Sequence, residues 1–395
     1  MKFSTQVKSI RNGMEFSHGL RRALVGALML VYLISLGFDV ISVTTLFAVS
    51  VIIGMLLEFP TGAVADYDSR KKSLLISFFL MSLSFLGIFL FKSFWVIAGF
   101  WVLNEIAWTF SSGASSAWAI DALDYAKKKS KLVSLISQGW MSEKVGHVIG
   151  GVIGLLVVAI SFRFVWLSIS LVYFVLLLVS WRYIEERNFE PEKVPHSYLK
   201  KSLIKARESI SYLVHKDNRD LRILMYSEFL ISFAWAGFVI GVPLLFTQNL
   251  ALRPEYLSGL YAVASALAIG GPLVANRVIK DKFGKLLFSL MFVIGVAIVA
   301  FAVSGSLLFA VLTFAVVEIA FAAFDTIIES ARHHEFDSKI RASLGSMSMI
   351  IFAIAYSIGM FLTGFSVKFL GVVNTLIISG AIMFLTAFVY LWMKE

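Results

Sequence analysis

The sequence contains no cysteine and few charged side chains. Without cysteine the chain can form no disulfide bond and can carry out no thiolate chemistry. Aspartate, glutamate, lysine and arginine together make up 15% of the 395 residues, whereas soluble proteins average about 25%. Because so few charges cannot solvate a whole exterior, we expect the exterior of this protein to face an apolar medium.

Hydrophobic residues are abundant instead, at 59% of the chain, and the mean hydropathy is +0.85. A helix of about 20 apolar residues crosses the roughly 30 Å of hydrocarbon in a bilayer. The basic segment 1–22 has no small-residue cleavage site, so we expect membrane insertion to rely on the helices themselves. The apolar runs predict an all-α polytopic membrane protein with twelve spans, at residues 17–37, 42–64, 73–91, 94–120, 133–160, 163–181, 221–247, 254–275, 286–304, 306–330, 343–367 and 371–393.

The distribution of lysine and arginine gives this map an orientation. Thirty of the 35 basic residues lie in the termini and in the loops on the same side, four lie on the opposite side, and Lys144 lies within a span. Loops that stay in the cytoplasm collect positive charge. We therefore expect a multi-pass protein of a cell membrane (plasma or inner) with both termini in the cytoplasm. The same distribution accounts for the net charge of +10 without nucleic acid.

The longest polar segment, 184–218, lies almost midway along the chain. It contains two prolines and alternating glutamate and lysine. We interpret it as a cytoplasmic linker between an N-terminal six-helix bundle, 1–183, and a C-terminal six-helix bundle, 219–395.

Short internal repeats support this division. The tetrapeptide 63–66 recurs in similar form at 273–276, and the pentapeptide 73–77 recurs at 285–289. Both copies follow the second predicted span of their half. Two parallel six-helix repeats are a known architecture of secondary transporters.

A motif between the second and third predicted spans resembles the signature of the major facilitator superfamily. The matching positions are Gly62, Asp66, Arg70 and Lys71. Tyr67 replaces a basic residue of the signature, and Ser69 replaces its turn glycine. The neighbouring segments 58–62 and 112–121 resemble a branch of the family rich in efflux proteins of small molecules and drugs.

The resemblance implies the major facilitator fold, with twelve transmembrane helices as two six-helix bundles, and transport by alternating access. It also implies a conformational latch, in which Asp66 bonds with Arg70 while Asp121 supplies a second acid. Such a charge cluster holds one state and breaks in the other. The alternative is a solvated loop whose basic residues only keep it in the cytoplasm.

Three acids lie on one stripe of the tenth predicted span, because Glu318, Asp325 and Glu329 are spaced by seven and four residues. A charge in hydrocarbon is costly, so such acids face a cavity or a partner. Arg332 and His333 lie within about one turn of Glu329 and can pair with it. No basic residue lies within a turn of Glu318 in the sequence, and we favour a proton or cation site there.

Glu105 lies in the fourth predicted span, on one face with Trp108. Adding the repeat offset places Glu105 next to Glu318, so both halves present an acid at corresponding depth. A structural hydrogen bond to a neighbouring helix is the alternative. Proton-coupled efflux members of the family carry an arginine in this region, and this chain has none there.

The first and seventh predicted spans carry His18 and Glu228 at corresponding positions. Arg22 shares a side with His18, and Trp235 shares a face with Glu228. In the family that the motif resembles, helices 1, 4, 7 and 10 line the transport cavity, and each of them carries an ionisable group in this chain. Either Trp108 or Trp235 could stack on a substrate or a cation.

The fifth predicted span combines a glycine face with two ionisable residues. The glycines are Gly139, Gly146, Gly150 and Gly154. They permit close helix approach and resemble the antiporter motif of the family, although Gly151 stands where that motif has proline. Glu143 and His147 are one turn apart and could share a proton or form a structural pair between two helices.

Three functions are open on this basis. The first is proton-coupled efflux by antiport of a small amphipathic or cationic compound. The second is a proton-coupled importer or facilitator of an anionic metabolite, with His18, Arg22 and Lys144 as its binding groups. The third is an intramembrane enzyme or receptor, but no phosphate-binding loop, His-Glu-x-x-His or nucleophile elbow occurs. We therefore expect no catalytic residues, cofactor or metal, and a monomer whose partners are a small-molecule substrate, protons and the lipid bilayer.

Overall fold

The computed structural model describes residues 3–125, 132–187, 218–272, 275, 283–335 and 341–393. Within these residues the regular secondary structure is helical, without a strand. Most of the predicted linker 184–218 lies outside them. The helices are α1 (Phe3–Ser35), α2 (Val40–Tyr67), α3 (Arg70–Leu90), α4 (Phe94–Ser111), α5 (Ala114–Tyr125), α6 (Leu132–Ile160), α7 (Phe164–Tyr183), α8 (Arg219–Leu244), α9 (Pro254–Ala268), α10 (Phe283–Ala302), α11 (Leu307–Glu335) and α12 (Arg341–Ala387).

These helices account for the twelve predicted spans. Nine of the described helical stretches are long and apolar enough to cross a membrane. α1 adds a tenth as a bent pair, Thr5–Gly26 and Leu28–Ser35, whose axes meet at 42°. α4 and α5 together make one span, Gly371 divides α12 at the place where two spans were predicted, and the 15-residue α9 lies within the predicted span 254–275. The all-α membrane fold predicted from the sequence is confirmed.

Glycine makes two of the turns between spans. Gly371 divides α12 with a φ of 85°, and Gly37 lies between α1 and α2 with a φ of 88°. A residue with a side chain rarely adopts this left-handed conformation. The sequence predicted two spans here, 343–367 and 371–393, and the non-helical Gly371 separates two helical parts of α12 at that place.

The chain packs as two compact units. Unit 1 comprises Met1–Phe38, Val49–Val194 and Pro254–Ala262, and unit 2 comprises Asp39–Ala48, Pro195–Arg253 and Val263–Glu395. Each unit therefore contains most of one half of the sequence and a short segment from the other half.

In unit 1, α1 and α6 approach closely through glycines. A methyl group on Gly146 would overlap the backbone carbonyl of Phe16, and one on Gly19 would overlap the carbonyl of Glu143. Gly150 lies against the backbone of Leu20 in the same way. Larger residues at these positions would force the two helices apart.

In unit 2, aromatic side chains fill the interior. Phe246, Phe301 and Phe314 form a cluster with ring centroids 5.3–6.0 Å apart. Phe324 contacts the buried Tyr390, whose hydroxyl donates to Ser227 Oγ at 2.9 Å. Such ring pairs stabilise a core beyond the area that they bury.

The short segment that each unit takes from the other half lies against a glycine. In unit 1, Gly154 faces the hydroxyl of Ser258. In unit 2, Gly364 faces Thr44, and Lys368 Nζ lies 3.2 Å from Asp39 Oδ1. In both units, therefore, a glycine allows close contact with the helix that comes from the other half of the sequence.

Large apolar side chains are exposed along the outer faces of the helices. Trp95 is 81% exposed, Ile160 is 77% exposed and Leu308 is 71% exposed. Soluble proteins seldom expose extended apolar surface. This surface suits hydrocarbon, which agrees with the low content of charged residues.

Candidate functional site

A cationic and aromatic cluster forms in unit 1 around Trp108. We name it the Trp108 cluster, and its members are His18, Arg21 and Arg22 of α1 and Trp108 of α4. The His18 ring lies edge-on to the Trp108 ring at 4.9 Å. The guanidinium carbons of Arg21 and Arg22 lie 5.0 and 6.0 Å from the Trp108 ring centroid. These distances are those of cation–π interactions, so this chain's own cations occupy the face of Trp108.

Two side chains fix the members of the cluster on α1. His18 is buried, and its Nδ1 lies 2.9 Å from the hydroxyl of Tyr173 on α7. Arg22 Nη1 donates to Glu143 Oε1 of α6 at 2.6 Å. Glu143 thus pairs with arginine across two helices. His147, one turn along α6, is half-buried.

Glu105 of α4 is half-buried and lies three residues, about one helical turn, before Trp108. Its Oε1 accepts a hydrogen bond of 3.1 Å from the amide of the neighbouring Asn104. This hydrogen bond joins neighbouring residues of the same helix, and Arg21 of α1 is a basic residue that acts electrostatically on Glu105.

The glycines of α6 lie along its contacts with other helices. Gly139 is buried beside Glu15 of α1, Gly146 and Gly150 contact the backbone of α1, and Gly154 contacts both Leu24 and Ser258. The face that carries them is thus a packing face.

The turn between α2 and α3 carries the predicted latch. Arg70 forms an ion pair with Asp121 of α5. Asp66 is exposed, whereas Gly62 and Lys71 are half-buried. The sequence interpretation placed Asp66 as the first partner of Arg70, but in the structure Asp121 is the acid that we find paired with Arg70.

Two further carboxylates, which the sequence analysis did not single out, lie in or contact the helices next to this turn: Glu58 in α2 and Glu186 after α7. Glu58 Oε1 accepts a hydrogen bond of 2.7 Å from Ser112 Oγ. Glu186, just after α7, accepts from Ser69 Oγ at 2.6 Å and from the backbone N–H of Lys71 at 3.0 Å. Ser69, which replaces the signature glycine, is also the N-cap of α3, since its Oγ accepts from the backbone N–H of Lys72.

In unit 2, Arg332 forms ion pairs with two carboxylates, those of Glu228 and Glu329. Glu228 of α8 is only 9% exposed, accepts a hydrogen bond from Ser348 of α12, and lies 3.2 Å from Arg332 Nη2 of α11. Arg332 Nη1 also donates to Glu329, which is exposed, at 2.7 Å. The sequence predicted the local pair of Glu329 and Arg332 but not the contact of Arg332 with Glu228.

The other candidates on α8 and α11 surround an aromatic stack. Trp235 stacks on Phe321 with ring centroids 4.1 Å apart and an interplanar angle of 27°. Both rings are half-buried. Glu318, one turn before Phe321, is half-buried, and Asp325, one turn after it, is exposed.

Sequence patterns could reveal only the local part of these arrangements. The contacts between Glu228, Arg332 and Ser348 join positions more than 100 residues apart, and nothing in their local sequence pairs them. The role of Glu186 was hidden for the same reason, because Ser69 and Glu186 are 117 residues apart. The one available signal was Ser69 itself, since serine is a strong N-cap residue.

Comparison with known proteins extends these observations. The sequence model of the Major Facilitator Superfamily matches residues 13–334. No curated protein matches the chain. Three solved structures are similar in fold. The nucleoside transporter NupG has a TM-score of 0.79 and 15% identity, covering 99% of this chain and 98% of its own. A POT family transporter in complex with a thioalcohol-conjugated peptide has a TM-score of 0.77 and 13% identity, covering 98% and 95%. The human organic anion transporter MFSD10 has a TM-score of 0.67 and 13% identity, covering 98% and 99%.

Proposed function

Because the chain belongs to the major facilitator superfamily, a family of membrane transporters, we propose that it is a proton-coupled antiporter. It exports a small amphipathic or cationic compound by alternating access. Its activity is transport and not enzymatic catalysis, and it is a multi-pass integral membrane protein. The proposal adds that the chain acts as a monomer in the cell membrane, with both termini in the cytoplasm.

The observation that carries proton coupling is the sharing of Arg332 by two carboxylates. The site of Glu228, Glu329 and Arg332 holds two acids and one guanidinium, and Glu228 is the buried acid. A buried carboxylate is tolerated only while it has a countercharge and hydrogen bonds. A proton on Glu228 neutralises that carboxylate and releases Arg332 to Glu329. The site therefore has two arrangements, with Arg332 paired to Glu228 or released to Glu329. Coupling of transport to an ion gradient needs such a two-state element.

The aromatic stack on α8 and α11 supports a cationic or amphipathic substrate. The half-buried rings of Trp235 and Phe321 offer apolar surface, and Glu318 is one turn from Phe321. An aromatic face beside a carboxylate favours organic cations. Trp108 is less suited to this task, because Arg21 and Arg22 already lie over its ring.

A second candidate function is supported by the Trp108 cluster. Arg21, Arg22 and His18 come together there, and Lys144 lies next to Glu143 in α6. These cationic groups suit an anionic metabolite, which the chain would import with protons or by facilitated movement.

The test is a vesicle assay with purified protein and an internal pH dye. Ethidium serves as the cationic probe, and benzoate serves as the anionic probe. An imposed gradient of ethidium is expected to move protons in the opposite direction, while benzoate changes the lumenal pH no faster than it does in protein-free vesicles, where uncharged benzoic acid crosses the bilayer. A benzoate-driven pH change faster than that of protein-free vesicles would favour the second function. Vesicles that respond to neither probe more than protein-free vesicles do would contradict the proposal for these substrate classes.

Glu318→Gln gives the matching control on the substrate site. This variant keeps the size of the side chain and removes its charge. Proton movement driven by ethidium is expected to fall at least about tenfold, as for the loss of a desolvated cation–carboxylate contact. An unchanged rate would remove Glu318 from the mechanism.

A further inference from the structure

We propose that Glu186 is a positioning residue of the latch, and that it replaces Asp66 as the acid that holds the turn between α2 and α3. The inference rests on the proposed function in one respect: it assumes that the ion pair of Arg70 and Asp121 breaks and re-forms during transport. Glu186 acts through that ion pair by fixing the backbone on which Arg70 stands.

The carboxylate of Glu186 completes the N-terminus of α3. Its Oε2 accepts from Ser69 Oγ at 2.6 Å, and its Oε1 accepts from the backbone N–H of Lys71 at 3.0 Å. Ser69 Oγ in turn accepts from the backbone N–H of Lys72 at 2.9 Å. The first N–H groups of a helix have no partner within the helix, and a negative charge there is favourable. Two of these groups are satisfied here by Glu186 and Ser69.

This arrangement accounts for the departure from the family signature at Ser69. The φ of Ser69 is −167°, which is extended backbone that any residue adopts. The turn therefore does not need the conformational freedom of glycine. The serine hydroxyl instead contributes both the helix cap and the bond to Glu186.

The residues just after α7 form hydrogen bonds near both members of the ion pair, Arg70 and Asp121. Glu186 holds the turn that carries Arg70, and the backbone carbonyl of Glu185 accepts a hydrogen bond of 3.0 Å from Trp118 Nε1. Trp118 is one turn before Asp121 on α5. Glu185 and Glu186 thus fix the positions of α5 and α3 next to Asp121 and Arg70. Asp66, in contrast, is exposed.

The two neighbouring glutamates provide a matched comparison. Glu185 is exposed, and its carboxylate lies 2.5 Å from Arg187, whereas the carboxylate of Glu186 bonds to α3. Replacing the side chain of Glu185 leaves its backbone carbonyl, and hence the bond from Trp118, in place. A change that follows Glu186 but not Glu185 therefore reports on the contact with α3.

The experiment uses the absence of cysteine, which leaves no background for thiol labelling. Ser73→Cys places a reporter one turn from Arg70, at a site that is fully buried and donates to the carbonyl of Phe110 at 2.7 Å. The labelling rate with N-ethylmaleimide is measured on purified protein, so no transport substrate is needed. Glu186→Ala is expected to raise this rate roughly tenfold, within the range of coupling between contacting residues. Glu185→Ala is expected to change it less than about twofold.

A double-mutant cycle separates positioning from a general structural role. Asp121→Asn alone is also expected to raise the labelling rate roughly tenfold, and Glu186→Ala added to it is expected to raise the rate no further. Glu186→Gln, which keeps one acceptor oxygen for Lys71, is expected to lie between the parent and Glu186→Ala.

The outcomes distinguish the inference from the function on which it rests. If Asp121→Asn labels slowly, the latch itself is contradicted. If Asp121→Asn labels rapidly while Glu186→Ala labels at the parent rate, only the role of Glu186 is contradicted. If the two effects multiply, Glu186 acts independently of Arg70 and Asp121, and the inference is again overturned.

Discussion

At the scale of single residues, two tryptophans that look equivalent in the sequence have different surroundings. Trp108 is covered by His18, Arg21 and Arg22 of the same chain. Trp235 stacks on Phe321, close in sequence to Glu318. Because the chain's own arginines already lie over the Trp108 ring, the stack of Trp235 and Phe321 is the better candidate for contact with a cationic or amphipathic substrate. Trp108 is the better candidate for holding α1 against α4.

Alanine substitutions separate these two roles. Trp235→Ala is expected to raise the KM for ethidium roughly tenfold, which corresponds to the loss of one aromatic contact with the cation, and to lower the Tm as well because the stack on Phe321 is lost. Trp108→Ala is expected to lower the Tm and to leave the KM within about twofold. Transport kinetics in vesicles and thermal unfolding in detergent provide the two measurements, and the opposite pattern in KM would exchange the assigned roles.

The residue types at these sites could be predicted from the sequence, but their partners could not. Helical spacing placed Glu318, Asp325 and Glu329 on one stripe and allowed the pair of Glu329 and Arg332. It could not bring Arg332 to Glu228, because that contact depends on how α8 and α11 pack. For the same reason the resemblance to the family motif favoured Asp66, whereas Glu186 comes from the far end of α7.

At the scale of helices, close packing in unit 1 depends on glycines that face backbone. The carbonyl of Phe16 fills the position that a side chain on Gly146 would occupy, and the carbonyl of Glu143 does the same for Gly19. Backbone atoms of two helices cannot move aside as a flexible side chain can. The contact between α1 and α6 is therefore sensitive to any added atom, and it carries Arg22 to Glu143.

Gly146→Leu is expected to lower the stability of the protein, since overpacking costs about 1–3 kcal/mol. Gly13→Leu is the control, because no atom outside the adjacent turns of its own helix lies within 4 Å of the position of its added methyl group, and leucine favours a helix more than glycine does. Thermal unfolding in detergent should place the Tm of Gly146→Leu below that of the parent and that of Gly13→Leu at or above it. Equal Tm values for the two variants would refute the packing role of Gly146.

The sequence predicted helices more reliably than their ends. The twelve spans followed from apolar runs, because hydrocarbon imposes their length. The left-handed Gly371 within α12 did not follow from the apolar pattern, since that pattern only indicated two neighbouring spans. Ser112 and Gly113, which separate α4 from α5, interrupt a run that the sequence predicted as one span.

At the scale of the whole molecule, the repeat in the sequence has a counterpart in packing. Gly154 faces Ser258 in unit 1, and Gly364 faces Thr44 in unit 2. The two glycines are 210 positions apart, the same offset as that between the repeated tetrapeptides. A contact between a glycine and a small hydroxyl residue thus occurs at corresponding positions in the two halves. Charge differs between the halves, however: basic groups surround Trp108 in unit 1, and acidic groups accompany the aromatic stack in unit 2.

The central claim is that a proton on Glu228 is coupled to transport through Arg332. Its most direct test is the proton flux that an ethidium gradient drives in vesicles containing Glu228→Gln, compared with vesicles containing Glu329→Gln. Glu228→Gln keeps an acceptor for Ser348 but cannot carry a proton, whereas Glu329→Gln leaves the buried pair of Glu228 and Arg332 intact. The account predicts that Glu228→Gln lowers the flux at least about tenfold, as expected for a lost proton-transfer group, and that Glu329→Gln, which removes the second partner of the released Arg332, lowers it by a smaller factor. A full flux from Glu228→Gln, in protein that folds with the parent Tm, would contradict the account.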